Sequence, residues 1–178
     1  MISILRRVAL AGLVGTLALG LIAAPASAKQ PAKSGPTIVD IAAADDGEFD
    51  TLTQLVVQLG LVDALSARGQ LTVFAPTDAA FAKLGITPDT VDDTIAALGA
   101  DTVRAIVLYH VAHGARFSGD VVDSSKIRML NGAFARVSVS TDPLRVTVGG
   151  AELNLGLLDI RASNGVIHVT NDVLLPPA

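Results

Sequence analysis

The 178-residue sequence contains no cysteine and no tryptophan, and it has only one tyrosine and five phenylalanines. Without cysteine, no disulfide can brace the fold, no thiolate can act as a nucleophile or metal ligand, and no lipid can be attached to an N-terminal cysteine. Basic residues are also few, with 13 lysines and arginines against 17 acidic residues and a net charge of −4. Because binding to phosphate backbones needs clustered positive charge, we expect no nucleic-acid partner.

The motifs of common enzyme classes are missing as well. The chain has no nucleophile elbow, Walker loop, dinucleotide-binding glycine pattern or His-Glu-x-x-His motif. The residues that invite a catalytic or metal-binding interpretation are His110, His113, His168, Asp159 and Asp172. His110 and His113 lie three apart in a segment predicted to be extended, which places their side chains on opposite faces. We therefore predict no catalytic residue, no metal site and no cofactor.

His168 has a structural interpretation of its own. It alternates with Ile167 and Val169 in an apolar segment that predicts a strand. We expect a partly buried histidine whose ring is hydrogen-bonded, because buried polar groups are nearly always paired.

The first 28 residues have the layout of a secretory signal peptide. Arg6 and Arg7 precede an uncharged apolar run over residues 8–24, and residues 26–28 (Ala-Ser-Ala) form a small-residue cleavage site. The run approaches the lower limit of a membrane-spanning helix, about 17 residues, so an uncleaved anchor is the alternative. The small-residue ending favours cleavage before Lys29. We expect a protein secreted to the extracellular space, or to the periplasm and cell envelope, that keeps no transmembrane anchor after cleavage.

Residues 29–36 are rich in Lys, Gln, Ser, Gly and Pro and predict a flexible linker, so the domain is expected to span residues 37–178. Its front half has helical periodicity. Helices are predicted over residues 37–44, 51–59, 62–67, 79–84 and 88–98, and from residue 101. The helix over 51–59 is the clearest, because its apolar residues recur at i, i+3, i+4 and i+7.

Four acidic residues around Gly47 raise the question of calcium binding. These residues are Asp45, Asp46, Glu48 and Asp50. A calcium loop of the EF-hand type needs oxygen ligands at positions one, three and five, then Gly at six and Glu at twelve, and this run does not supply that pattern. We interpret it as a solvated turn in which Asp50 caps the next helix.

From Tyr109 onward the hydrophobic pattern changes to a period of two. Short strands are predicted at residues 111, 121–122, 127–130, 137–139, 146–148, 153–155 and 166–169. The turns between them are predicted at Asn131-Gly132, Asp142-Pro143, Gly149-Gly150 and Asn164-Gly165. Helices followed by antiparallel strands favour an α+β fold whose back half is a β-meander.

Three segments carry a resemblance to a known family. Residues 71–81 (Leu-Thr-Val-Phe-Ala-Pro-Thr-Asp-Ala-Ala-Phe) predict a strand that proline ends and a helix capped by Thr77 or Asp78. Residues 164–176 (Asn-Gly-Val-Ile-His-Val-Thr-Asn-Asp-Val-Leu-Leu-Pro) lie near the C-terminus, and residues 108–111 (Leu-Tyr-His-Val) lie between the two. In this order they resemble the signature segments of the fasciclin (FAS1) domain, and the resemblance covers residues 37–178.

The resemblance implies a FAS1-like β-wedge of about seven mostly antiparallel strands with the N-terminal helices packed on it. The structural signature residues that it implies are Phe74, Pro76, Thr77, Asp78, Phe81, Asn164, Gly165 and His168. In animal fasciclin-domain proteins, a Tyr-His segment and an Asp-Ile segment are implicated in integrin-mediated adhesion. The matching positions are Tyr109, His110, Asp159 and Ile160. Tyr109 and His110 also close the apolar run of residues 106–108, which favours a structural role in which their rings pack at a helix-to-strand corner with their polar ends hydrogen-bonded. The Asn-Lys pair that precedes Asp-Ile in the integrin motif is absent here.

By resemblance, the expected function is that of a secreted, non-catalytic domain. It would mediate cell adhesion, or association with the extracellular matrix or cell envelope, by surface recognition. The expected partner is an extracellular protein, glycan or lipid surface, and the expected state is a monomer. Two alternatives remain open: a soluble extracellular carrier of a small apolar ligand, which needs a closed apolar cavity, and a histidine-dependent enzyme, which needs convergent polar groups.

Overall fold

The computed structural model describes residues 35–44, 47–66 and 69–177. The predicted signal peptide, most of the predicted linker, Asp45 and Asp46 lie outside these residues. The helices are α1 (Ile38–Ala44), α2 (Asp50–Gln58), α3 (Val62–Ser66), α4 (Asp78–Ala82), α5 (Val91–Leu98), α6 (Ala100–Tyr109) and α7 (Ser118–Val122), with a 3₁₀ turn at Pro88–Thr90 before α5. The strands are β1 (Leu71–Pro76), β2 (Val111–His113), β3 (Lys126–Arg128), β4 (Phe134–Thr141), β5 (Leu144–Val148), β6 (Ala151–Glu152), β7 (Ile160–Ala162) and β8 (Gly165–Thr170).

The strands form two four-stranded sheets. The first has the order β2-β1-β8-β7, and the second is a meander with the order β3-β4-β5-β6. All the strand pairs are antiparallel except β1 with β8, which run parallel from Leu71 opposite Gly165 to Pro76 opposite Thr170. The predicted α+β class is confirmed, and the described residues contain eight strands rather than about seven.

Strand β1 separates two hydrophobic clusters, and all six of its residues are buried. Leu71, Val73 and Ala75 pack in a cluster with the helices, whereas Phe74 packs in a cluster with residues of the second sheet. Because side chains alternate between the faces of a strand, one short segment supplies apolar contacts to both clusters. None of the helices in the described residues is long and apolar enough to cross a membrane.

Asp78 connects two helices. It is the first residue of α4, and its carboxylate accepts hydrogen bonds from the backbone N–H groups of Thr51 at 2.9 Å and Asp50 at 3.3 Å, at the start of α2. The prediction that Asp50 caps α2 was therefore wrong, because Asp50 is already the first residue of the helix. Thr77 caps α4, as its hydroxyl accepts a hydrogen bond from the N–H of Ala80 at 3.3 Å.

The strand predicted at Val121 and Val122 is also wrong, because both residues lie in α7. Val121 is fully buried and Val122 is 41% exposed, so this pair presents one apolar side chain to the core. The carboxylate of Asp120 accepts a hydrogen bond from the N–H of Phe117 at 3.0 Å, which favours a helical turn here. Two adjacent β-branched residues are too short a run to outweigh that local bond.

The strand predicted over residues 153–155 is shorter than expected. Strand β6 ends at Glu152, and Leu153 forms only an isolated bridge with Thr170. Asn154 then turns the chain, because its side-chain oxygen accepts a hydrogen bond from the N–H of Gly156 at 3.1 Å and its carbonyl accepts one from Leu157 at 3.0 Å. Strand β8 pairs antiparallel with β7 but in parallel with β1, so the back half is not one continuous meander, while the strands are mostly antiparallel as predicted.

Replacing Gly165 with alanine is predicted to destabilise the protein severely. A β-carbon at this position would overlap the carbonyl oxygen of Leu71 and lie 2.8 Å from Cδ1 of Ile38. The strands must then move apart, so we expect a loss of at least about 3 kcal/mol, the upper range for overpacked cores. Urea unfolding of Gly165→Ala measures this loss.

The matched control is Gly119→Ala in the exposed part of α7. A β-carbon there meets no atom within 4 Å, and alanine is about 1 kcal/mol better than glycine within a helix. The control is expected to unfold at the wild-type urea concentration or higher. A Gly165→Ala protein as stable as the control would show that the close contact between β1 and β8 does not exist.

Candidate functional site

His110 follows the last turn of α6 and is 2% exposed. Its Nδ1 lies 2.8 Å from the carbonyl oxygen of Ile106, and its Nε2 lies 2.9 Å from the backbone nitrogen of Leu174. A carbonyl can only accept and an N–H can only donate, so Nδ1 carries the proton and Nε2 is the acceptor. Burial lowers the pKa of His110 to about 4, although its bond to Ile106 opposes this shift.

His168 is fully buried in β8, and its ring stacks on that of Phe74 with centroids 5.6 Å apart. Its Nε2 donates to the carbonyl oxygen of Arg116 at 2.8 Å, and its Nδ1 accepts from the N–H of Asp159 at 3.3 Å. Burial lowers the pKa of His168, and the bond to Arg116 and the charge of Asp159 partly offset this effect. His168 is thus neutral at pH 7, with its proton on the opposite nitrogen from that of His110.

The hydrogen bonds of His110 and His168 are relevant to the alternative that the protein is a histidine-dependent enzyme. A general acid or base needs a ring nitrogen that can exchange a proton with a substrate, whereas both nitrogens of His110 and of His168 bond backbone groups. His113, the exposed last residue of β2, shares none of these bonds. Within the described residues, no group of three or more His, Asp or Glu side chains is placed to hold a metal ion.

Asp159 is held in a defined position by Ser118. One carboxylate oxygen accepts the N–H of Ser118 at 2.7 Å, and the other accepts its hydroxyl at 2.6 Å. Partial burial raises the pKa of the Asp159 carboxyl, but the two bonds from Ser118, together with the electrostatic effects of His168 and Arg161, outweigh it and the pKa lies below the usual range. The backbone φ of Asp159 is 59°, a left-handed value that aspartate tolerates better than most residues.

A continuous surface surrounds Asp159. Ile160 is half-buried in β7, which is the outer strand of the first sheet in the described residues, and Arg161 next to it is exposed. The guanidinium of Arg161 lies over the ring of Phe117, 4.8 Å from its centroid. We call Phe117, Ser118, Asp159, Ile160 and Arg161 the β7 surface.

The structure does not bring the four predicted adhesion residues together. Tyr109 is 2% exposed and packs in the cluster with the second sheet, where its hydroxyl donates to the carbonyl oxygen of Phe134 at 3.4 Å. His110 is also buried, and neither residue has a hydrogen bond or ion pair with Asp159 or Ile160. Asp159 and Ile160 are therefore the accessible half of the predicted site.

Sequence reasoning missed Phe117, Ser118 and Arg161. Ser118 is 41 residues from Asp159, and no sequence pattern links the two. The only signal in the sequence was the pair Phe117-Ser118 shortly before Asp120. This pattern is typical of the start of a helix, but it does not indicate a binding site.

The structure also contains a cavity of about 240 Å³ among the helices, which sequence reasoning could not locate. It is lined by residues of α2, α4, α5 and α6 and by the C-terminal segment that contains Val173 and Leu175. That segment is held in place by Lys83, whose ammonium lies 2.7 Å from the Asp172 carboxylate and 2.8 Å from the carbonyl oxygen of Asn171.

Comparison with known proteins identifies the class of this fold. A family model described as the fasciclin domain matches residues 47–176. The chain therefore belongs to the fasciclin domain family.

The chain is similar to proteins from bacteria and from an insect. It is 38% identical to Protein sll1483 of Synechocystis sp., over 81% of this chain and 76% of that protein. It is 35% identical to Immunogenic protein MPB70 of Mycobacterium bovis, over 79% of this chain and 69% of that protein. Its fold matches that of a FAS1 domain pair from the insect cell adhesion molecule fasciclin I, with a TM-score of 0.63 and 19% identity, over 79% of this chain and 51% of that one.

The free energy of unfolding is predicted to fall as the pH is lowered from about 6.5 to about 4. An unfolded His110 takes up a proton near its ordinary pKa of 6.5, whereas the folded residue does so only near pH 4. The unfolded state therefore binds more protons in this window, and acid favours unfolding. His110 alone accounts for a loss of about 3 kcal/mol by pH 4, and His168 shifts in the same direction.

Urea unfolding between pH 7 and pH 4 tests this prediction in three proteins. His110→Gln should show a weaker pH dependence than wild type, because glutamine does not titrate. His113→Gln is the matched control at the exposed histidine and should follow the wild-type curve. If His110→Gln and wild type lost stability equally over this range, His110 would not be buried in its neutral form.

Proposed function

We propose that the protein is exported and acts as a non-catalytic recognition domain, in cell adhesion or in association with the extracellular matrix or cell envelope, through the β7 surface. Family membership supports this proposal, since the domain pair that shares its fold comes from a cell adhesion molecule. The observation that carries it is the half-exposed Asp159 carboxylate, which Ser118 holds in place next to Ile160 and Arg161.

The fixed carboxylate is suited to recognition because it loses little freedom on binding. Ordering a side chain at an interface costs roughly 0.5–1.5 kcal/mol, and the bonds from Ser118 have already ordered Asp159. An ionised carboxylate has about four sites for hydrogen-bond donors, so about two remain for a partner. The low pKa of Asp159 keeps it charged at neutral and mildly acidic pH.

The rest of the β7 surface supplies complementary contacts. Arg161 is positioned by its stacking on Phe117 and offers a planar set of donors. The ring of Phe117 beneath Arg161 adds apolar area beside the charged side chains, whereas Ile160 packs against the helix-side hydrophobic cluster. Adjacent negative, apolar and positive groups on the β7 surface are complementary to an extracellular protein surface. They favour a protein partner over a glycan or a lipid surface, because binding to a glycan or a lipid would not need all three kinds of group.

Catalysis is not part of the proposal, because both buried histidines bond backbone groups through both ring nitrogens. One small surface of this kind binds weakly on its own and strongly only when many copies are displayed together. We therefore expect weak binding in solution and firm retention on an array.

Asp159→Asn is predicted to weaken retention of protein-coated beads on cells or matrix from the protein's own source. Asparagine keeps the side-chain shape and one acceptor oxygen but removes the charge. Loss of one charge-assisted hydrogen bond costs about 1.5 kcal/mol, so affinity should fall about tenfold. Retention under flow and a melting curve are measured for the same preparation.

Asp93→Asn is the matched control, because it makes the same change at an exposed acidic residue of α5. It should be retained like wild type. Full retention of Asp159→Asn with a wild-type melting temperature would exclude the β7 surface as the interface.

A further inference from the structure

The 240 Å³ cavity has apolar walls on several sides. Leu52 and Leu55 come from α2, Phe81 from α4, and Val103 and Ile106 from α6. The β7 surface does not contribute to it, so the cavity and the proposed interface are separate sites.

The two polar side chains that line the cavity have no free hydrogen-bond donor. The hydroxyl of Thr94 donates to the carbonyl oxygen of Thr90 at 2.9 Å. The single ring proton of the neutral His110 is bonded to Ile106, and its other ring nitrogen accepts from Leu174. Since an unpaired polar group is costly to bury, the site disfavours charged ligands and ligands whose polar atoms need a hydrogen-bond donor, although the Thr94 hydroxyl oxygen can still accept a hydrogen bond.

The cavity is large enough for a compact organic molecule. In another protein, an apolar cavity of about 150 Å³ stays dry and binds benzene. At 240 Å³, this one can hold an aromatic ring with a few further carbon atoms.

The cavity also has an entry path. Leu84, Leu98 and Leu175 line it and are each about half exposed. They mark an apolar mouth between α5, the residues after α4 and the C-terminal segment. An apolar ligand can therefore reach the cavity from solvent without unfolding of the domain.

We propose that this cavity is a binding site for a small, compact, uncharged apolar molecule of about ten non-hydrogen atoms or fewer, such as a substituted benzene. Burial of the ligand's apolar surface drives binding, and the absence of a free side-chain donor sets its selectivity.

Calorimetric titration at pH 8 with toluene and with 4-methylpyridine tests the site, because the two probes have the same shape and differ in one ring nitrogen, which is a hydrogen-bond acceptor. Toluene should bind the protein with one-to-one stoichiometry and raise its melting temperature. 4-Methylpyridine should bind at least tenfold more weakly, because its ring nitrogen finds no free donor among the side chains that line the cavity. Chemical-shift changes in amide NMR spectra should centre on α2 and α6.

Ile106→Phe is the blocking variant, since the larger side chain fills part of the cavity. It should bind toluene at least tenfold more weakly than wild type. Ile41→Phe is the matched control, because Ile41 is half-buried on α1 and does not line the cavity. The control should bind within twofold of wild type. If Ile106→Phe does not fold, Leu98→Phe at the half-exposed mouth replaces it.

The proposal is overturned if toluene produces neither heat nor amide shifts, if 4-methylpyridine binds as tightly as toluene, or if a folded blocking variant binds toluene like wild type. Retention of beads on cells is measured for the blocking variant as well. It should be unchanged, because the cavity and the β7 surface share no residue.

Discussion

The parallel pairing of β1 with β8 is the interaction on which the rest of the structure depends. The two strands are nearly a hundred residues apart in sequence, yet they form a continuous register over all six residues of β1. Both strands are buried along their whole length; β1 contributes to both hydrophobic clusters, and β8 contributes Ile167 and Val169 to the cluster with the helices. Gly165 allows the close approach of β8 to Leu71, since any β-carbon at this position would overlap the Leu71 carbonyl oxygen.

Polar side chains next to this strand pair attach the helices to it. Buried Asn164, just before β8, accepts a hydrogen bond from the N–H of Ile38 at 2.9 Å and donates one to the carbonyl oxygen of Leu65 at 2.6 Å. Asp78, just after β1, caps α2. Buried hydrogen bonds of this kind contribute through the cost of breaking them, which leaves an unpaired group in the core. Asn164 and Asp78 thus have a structural role, and the proposed recognition surface consists of other side chains.

The parts of the fold that depend on local rules were predictable from the sequence. The helical spacing of Leu52, Leu55 and Val56 and the proline at the end of β1 each act within a few residues. The parallel partner of β1 could not be predicted in the same way, because pairing across the chain leaves no local pattern. Val121 and Val122 misled the prediction, since a hydrogen bond at the start of α7 outweighed their β propensity.

For the candidate site, too, local features were predictable from the sequence and features that arise from long-range packing were not. The resemblance pointed to Asp159 and Ile160, which are accessible, and also to Tyr109 and His110, which are buried. The apolar run before Tyr109 indicated burial of Tyr109 and His110, but the exposure of Asp159 depends on the packing of distant segments, so the sequence could not show it. The Ser118 contact and the cavity likewise exist only after helices and strands have packed.

Native-state hydrogen exchange tests most directly whether the β1–β8 pair is the foundation of the fold. If it is, the backbone amides of β1 and β8 should exchange only through global unfolding, with an opening free energy equal to that from urea unfolding. Amides of the β4–β5 hairpin, whose tip exposes Leu144, should exchange faster. The result that would contradict this account is exchange of the β1 and β8 amides by local opening, at a lower free energy than the amides of the second sheet.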